Sequence, residues 1–139
     1  MKGGIVMHDL RVFAIVLWLS LPTVMYGGYA LLGFVNRGNH LTPFQLTYFR
    51  AGHAHAGVLL LLALLYNIFL GQTTVSHTAE VLATLVLGAG VLAQSGGFFI
   101  HMAIGKPGQR SIGTTITTTG AVLLAGAIFF LVYALIARW

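Results

Sequence analysis

The chain has 139 residues, 58% of them hydrophobic and only 6% charged, with a mean hydropathy of +0.91. A soluble domain carries roughly 25% charged residues, so a water-soluble globular fold is excluded and an integral membrane protein is expected. The net charge of +5 comes from seven basic residues scattered among termini and loops. A phosphate-binding face needs them clustered, so the lipid bilayer and its anionic headgroups, not nucleic acid, are the expected partners.

The chain contains no cysteine, which rules out disulfides, thiolate metal sites and covalent haem attachment. Any haem is therefore held non-covalently. Lys2 and Arg11 precede an apolar run longer than the roughly 7–15 residues of a signal-peptide core, and this run reads as a retained first span.

Apolar runs near the roughly 20 residues that cross a bilayer lie at about 12–35, 51–70, 79–104 and 114–137. Backbone polar groups in lipid must be satisfied within each segment, and the alternation of a membrane β-barrel is absent. The pattern predicts an all-α, antiparallel four-helix membrane bundle forming a single domain over residues 1–139.

The first span carries Pro22 and then Tyr26-Gly27-Gly28-Tyr29, so a bend or a close helix contact is expected between Pro22 and Gly28. Asn36 to Pro43 is turn-rich, with His40 a solvated loop residue. Phe44 to Phe49 is expected at the membrane interface, with Tyr48 as an anchor. The second connection ends in Ser76 or Thr78 as a cap for the third helix, whose N-terminal dipole Glu80 complements.

In the third span Gly90, Gln94, Gly97 and His101 are spaced by four, three and four and share one helical face. A small, polar stripe at membrane depth faces protein or cofactor rather than lipid. Lys106-Pro107-Gly108-Gln109-Arg110 forms a basic turn. The threonines from Thr114 to Thr119 can bond back to their own helix carbonyls, and Arg138 and Trp139 read as an interface anchor. Basic residues other than Arg50 divide evenly between the two sides, so they assign no orientation.

Arg50-Ala51-Gly52-His53-Ala54-His55-Ala56-Gly57 opens the second span. Ionisable groups at the lip of a membrane helix are costly and mark a functional-site hypothesis. His53 and His55 project about 200° apart around a regular helix, unlike the i, i+4 pair of a zinc helix. A structural zinc site wants four ligands, and neither cysteine nor a nearby carboxylate is present.

A haem iron needs one or two imidazoles, an apolar slot and a cation for the propionates. Ala51, Gly52, Ala54, Ala56 and Gly57 leave room for a flat macrocycle, and Arg50 lies toward the headgroups. His101 falls on the same side of the membrane and reads as a second axial ligand, a distal proton donor or an unrelated residue. Histidines in the wet interface, haem binding, and a proton or metal-ion pathway all stand as readings of these residue types.

The four short spans, Arg50-Ala51 with Ala54-His55-Ala56-Gly57, then Gly97-Phe98-Phe99, then Lys106-Pro107-Gly108-Gln109-Arg110, together resemble the bacterial styrene oxide isomerases. The resemblance covers most of the chain in layout and about a dozen positions in identity. It implies a homo-oligomer, a trimer of four-helix subunits in a bacterial or archaeal cytoplasmic membrane. It further implies haem b held between neighbouring subunits by one histidine. Alignment on Ala-His-x-Gly makes His55 the axial ligand of the iron; alignment on Arg-Ala shifts it toward His53.

The implied reaction is conversion of a small apolar epoxide to an aldehyde, with ferric haem as Lewis acid. Leu61 stands where the family has an asparagine and Phe99 where it has a tyrosine. Phe99, His101, Gln94 and Leu61 are the pocket candidates, and His55, His53, Arg50, Gly57 and Gly52 the haem-binding ones. Two other function classes fit the residues. One is a bis-histidine haem protein for electron transfer or redox sensing; the other is a non-haem membrane subunit or proton or metal-ion pathway.

Overall fold

The computed structural model describes residues 3–37 and 41–137, with side chains from residue 10 onward. The expectations for Lys2, His40, Arg138 and Trp139 lie outside the described residues. The chain runs through four helices, α1 (Gly3–Arg37), α2 (Pro43–Leu70), α3 (His77–Ile104) and α4 (Ile112–Ile136). All four contain stretches long and apolar enough to cross a membrane, and among the described residues there is no strand. The architecture is that of a multi-pass membrane protein with the apolar exterior that a bilayer requires.

The spans match the sequence reading except at the starts of α1, which begins at Gly3 rather than near residue 12, and of α2. Phe44 to Phe49 belongs to the helix, because Thr42 and Gln45 cap it reciprocally: the Gln45 N–H donates to Thr42 Oγ1 at 3.2 Å and the Thr42 N–H to Gln45 Oε1 at 3.0 Å. Pro43 takes the first helical position, where its missing N–H costs nothing. Ser76 caps α3 through the Ala79 N–H. Ser111 caps α4, accepting from the Gly113 N–H at 3.1 Å.

α3 and α4 form the tightest pair and α1 is the most loosely attached. The face of α3 carrying Gly90, Gln94, Gly97 and His101 lies on α4, with backbones nearly touching. A side chain begun at Gly113 would meet the Gly97 carbonyl at 2.6 Å, one at Gly97 would meet the Thr117 amide nitrogen at 2.6 Å, and one at Gly120 would meet the Gln94 backbone. The small stripe thus faces protein, and van der Waals packing between close backbones is the force that associates helices in lipid.

Apolar burial concentrates toward the other end, where Leu59, Leu60, Ala63, Leu70, Leu87 and Val91 pack with Leu10 and Leu17 of α1 and Leu124 of α4. Tyr66 donates its hydroxyl to the Ala127 carbonyl at 3.1 Å, tying α2 to α4. α1 is continuous through Pro22, and much of it is bare: Leu19, Met25, Tyr26 and Tyr29 are at least 70% exposed.

Candidate functional site

The three membrane-level histidines gather at one end of the bundle, and each faces a different helix. The split between His53 and His55 follows from their two-residue spacing. His53, half-buried, turns to α1, where it fills the notch left by Gly27 and Gly28. Its Nδ1 is 3.4 Å from where a side chain on Gly27 would start, and its Nε2 3.1 Å from the equivalent point on Gly28. The close contact expected near Pro22 to Gly28 is this one.

His55 turns to α3, its ring 4.7 Å from that of Phe98. Its Nδ1 lies 2.8 Å from the Ala51 carbonyl oxygen. A carbonyl can only accept, so Nδ1 carries a proton, and in the neutral ring Nε2 keeps its lone pair. Metal-ligating imidazoles are oriented in this way, one ring nitrogen donating to a backbone carbonyl or carboxylate while the other ligates. Ala54, Val58 and Leu61 are exposed on α2 near and beyond His55, and Arg50, five residues before it, is exposed as well.

His101 is closed in at 2% exposure. Its Nδ1 is 2.7 Å from Ser111 Oγ, and its ring meets those of Tyr48 at 4.3 Å and Phe44 at 5.3 Å. It therefore joins the start of α2, the end of α3 and the cap of α4. The first turns of α2, ahead of the apolar run, supply both aromatic walls. The histidine spacing does not point to Ser111 or Tyr48 as partners; Ser-x-x-Thr from Ser111 to Thr114 and Thr-x-x-Gln from Thr42 to Gln45 are the capping signals that locate them.

The remaining site residues are placed as follows. Gly52 leaves room that is already taken: a side chain there would meet the Phe99 ring at 2.9 Å and Phe98 Cβ at 3.2 Å. Phe99 also stands edge-on to Phe49 at 5.5 Å. Gly57 faces Val24 of α1 at 3.7 Å from its Cβ position, away from the Phe98 side on which His55 lies. Gln94 packs its backbone against Gly120 in the α3–α4 seam, and Leu61 is 54% exposed on the outer surface of α2.

Around His55 the structure thus brings together Phe98, Ala54 and Val58, with Arg50 a turn away; it does not bring His53, His55 and His101 to a common point. Among the described residues no group of three or more His, Asp or Glu side chains is placed to hold a metal ion, so a four-ligand zinc-type centre has no support here. The chain matches no family model, no curated protein and no solved structure.

Arg37, Arg50, Lys106 and Arg110 are all exposed at this end, whereas Glu80 lies at the opposite end, in the first turn of α3. The histidine end is therefore positive, which suits anionic headgroups or a ligand with carboxylates at its rim.

Proposed function

We propose that the chain is a haem b-binding integral membrane protein in which His55 would supply an imidazole ligand to the iron. The observation that carries this reading is the 2.8 Å contact from His55 Nδ1 to the Ala51 carbonyl. It holds the ring in one tautomer and leaves Nε2 as a ligand atom on a half-buried side chain at membrane depth. His53 lacks such an anchor and is spent against the α1 glycines.

The donor set fits the group, since haem needs as little as one imidazole. The place for it is outside the single subunit's core, because Phe98 and Phe99 occupy the room at Gly52. Ala54, Val58 and Leu61 would form the apolar wall beside the ligand, Arg50 would face a propionate, and Phe98 would shield His55 from water. A site on the outer surface of α2 is completed by a neighbouring subunit, in keeping with the homo-oligomer that the isomerase resemblance implies.

Ferric haem held there would supply Lewis-acid chemistry toward the oxygen of a small apolar epoxide, the reaction class the resemblance implies. Leu61 and Phe99 supply bulk and exclude water, and neither offers a hydrogen bond to a substrate. Coordination by His55 and the same chain's His101 is disfavoured by the enclosure of His101 between Ser111, Tyr48 and Phe44.

Absorption spectra of the protein purified from haem-supplied cells test the reading. A Soret band is expected for the wild type and for His53→Ala, and its loss for His55→Ala. A colourless wild-type protein, or a band that survives His55→Ala, overturns it.

A further inference from the structure

Toward the end of the bundle opposite His53, His55 and His101, three buried side-chain oxygens have no hydrogen-bond partner: Asn67 Oδ1, Glu80 Oε2 and Thr84 Oγ1. Their residues are 9%, 4% and 7% exposed. Leaving one buried polar atom unpaired costs about 1–3 kcal/mol, and an unpaired buried carboxylate costs far more. Three such atoms on neighbouring turns call for a shared partner.

The helix register brings them together. α2 and α3 are antiparallel, and the contacts Tyr48–His101 and His55–Phe98, extended along both helices at equal rise per residue, carry Asn67 to the level of Thr84. Glu80 lies one turn from Thr84 on nearly the same side of α3. The amide of Asn67 is fixed by its Nδ2, which donates to the Leu10 carbonyl at 2.9 Å. Oδ1, across the same planar group, is thereby turned from α1. The Thr84 hydroxyl forgoes the bond to the carbonyl four residues back that Ser95 makes to Val91 and Thr118 to Thr114.

Tyr66 donates to Ala127, Arg11 is exposed, and His77, one turn before Glu80, acts on the carboxyl electrostatically and has interactions of its own, although its buried Nδ1 makes no hydrogen bond. The three oxygens are one carboxylate, one amide and one hydroxyl oxygen, a set with a single formal negative charge. Oxygen-only sets suit hard cations, and one carboxylate balances a monovalent ion, whereas calcium sites draw on several.

We propose that Asn67, Glu80 and Thr84 form an intramembrane binding site for a small alkali cation, sodium. The site is independent of the haem reading: it uses other residues and its test needs no haem.

The test uses the full-length protein in lipid nanodiscs, treated with dicyclohexylcarbodiimide, a membrane-soluble reagent for protonated carboxyls, in sodium chloride or in choline chloride of equal ionic strength. Labelling at Glu80 is read by peptide mass. Sodium is expected to slow labelling of Glu80 where choline does not. Thr84→Val, which preserves shape, is expected to raise the half-protecting sodium concentration about tenfold, the effect of one lost oxygen partner. Equal labelling in the two salts overturns the proposal, as does an unchanged half-protecting concentration in Thr84→Val. Radioactive sodium retained by the wild type and lost in Asn67→Leu supports it independently of the carbodiimide chemistry; equal retention by the two overturns it.

Discussion

His53 sits in the notch that Gly28 leaves in α1, its Nε2 only 3.1 Å from the position a β-carbon on that glycine would take. The contact joins the most loosely attached helix to the rest of the bundle, and it explains why two histidines two residues apart have separate tasks: His53 packs α1, while His55 presents a nitrogen on the other side of α2.

Gly28→Leu is expected to push His53 out of its notch and to destabilise the α1–α2 contact by about 1–3 kcal/mol, the usual range for overpacking. Thermal unfolding in detergent measures the loss. His53→Ala in the same chain should restore part of it by emptying the space, a non-additivity that a double-mutant cycle reads directly.

The α3–α4 seam tolerates less. Gly120→Ala places a methyl group against the Gln94 backbone, which cannot rotate away as a side chain can. A loss of about 2–3 kcal/mol is expected. Gly126→Ala on the same helix, where a β-carbon meets nothing within 4 Å, should leave the unfolding temperature unchanged or slightly raised.

At the cap of α4, Ser111→Ala removes both the acceptor for the Gly113 N–H and the neighbour of His101 Nδ1. The cap alone accounts for about 1 kcal/mol, and the stranded imidazole adds roughly another 1–3 kcal/mol. Equilibrium unfolding in detergent should show a greater loss than Ser76→Ala produces at α3, where the cap has one backbone partner, the Ala79 N–H.

Thr42→Ala should fray the first turns of α2, with a loss of about 1 kcal/mol. Hydrogen exchange checks this: faster exchange is expected at residues 45–48 and unchanged exchange at 59–66. Because Phe44 and Tyr48 wall in His101, its ring signals should shift in the same variant.

Much of this architecture is legible in the chain before any coordinates. Apolar runs locate the four spans because lipid punishes every unpaired backbone group, and the Gly90, Gln94, Gly97, His101 spacing identifies a face that needs close company. The identity of that company is not legible: nothing local to α3 says that Gly113, Thr117 and Gly120 of α4 come to meet it rather than a cofactor. The start of α2 is missed because Phe44 to Phe49 has the aromatic composition of an interface; the reciprocal Thr42–Gln45 cap outweighs that composition. Gly52 reads as open space until Phe99 is seen across it. Glu80 reads as a dipole partner at a helix start, and only the register of α2 against α3 carries Asn67 to the level of Thr84, one turn from it.

The seam between α3 and α4 also works as a ruler. One residue inserted between Gly113 and Gly120 would rotate everything after it by about 100°, bringing a branched or methyl-bearing position to where two main chains have space for hydrogen alone. Length changes in this hairpin are therefore confined to the turn from Gly105 to Ser111, and the spacing of α4's glycines is fixed by its neighbour's backbone.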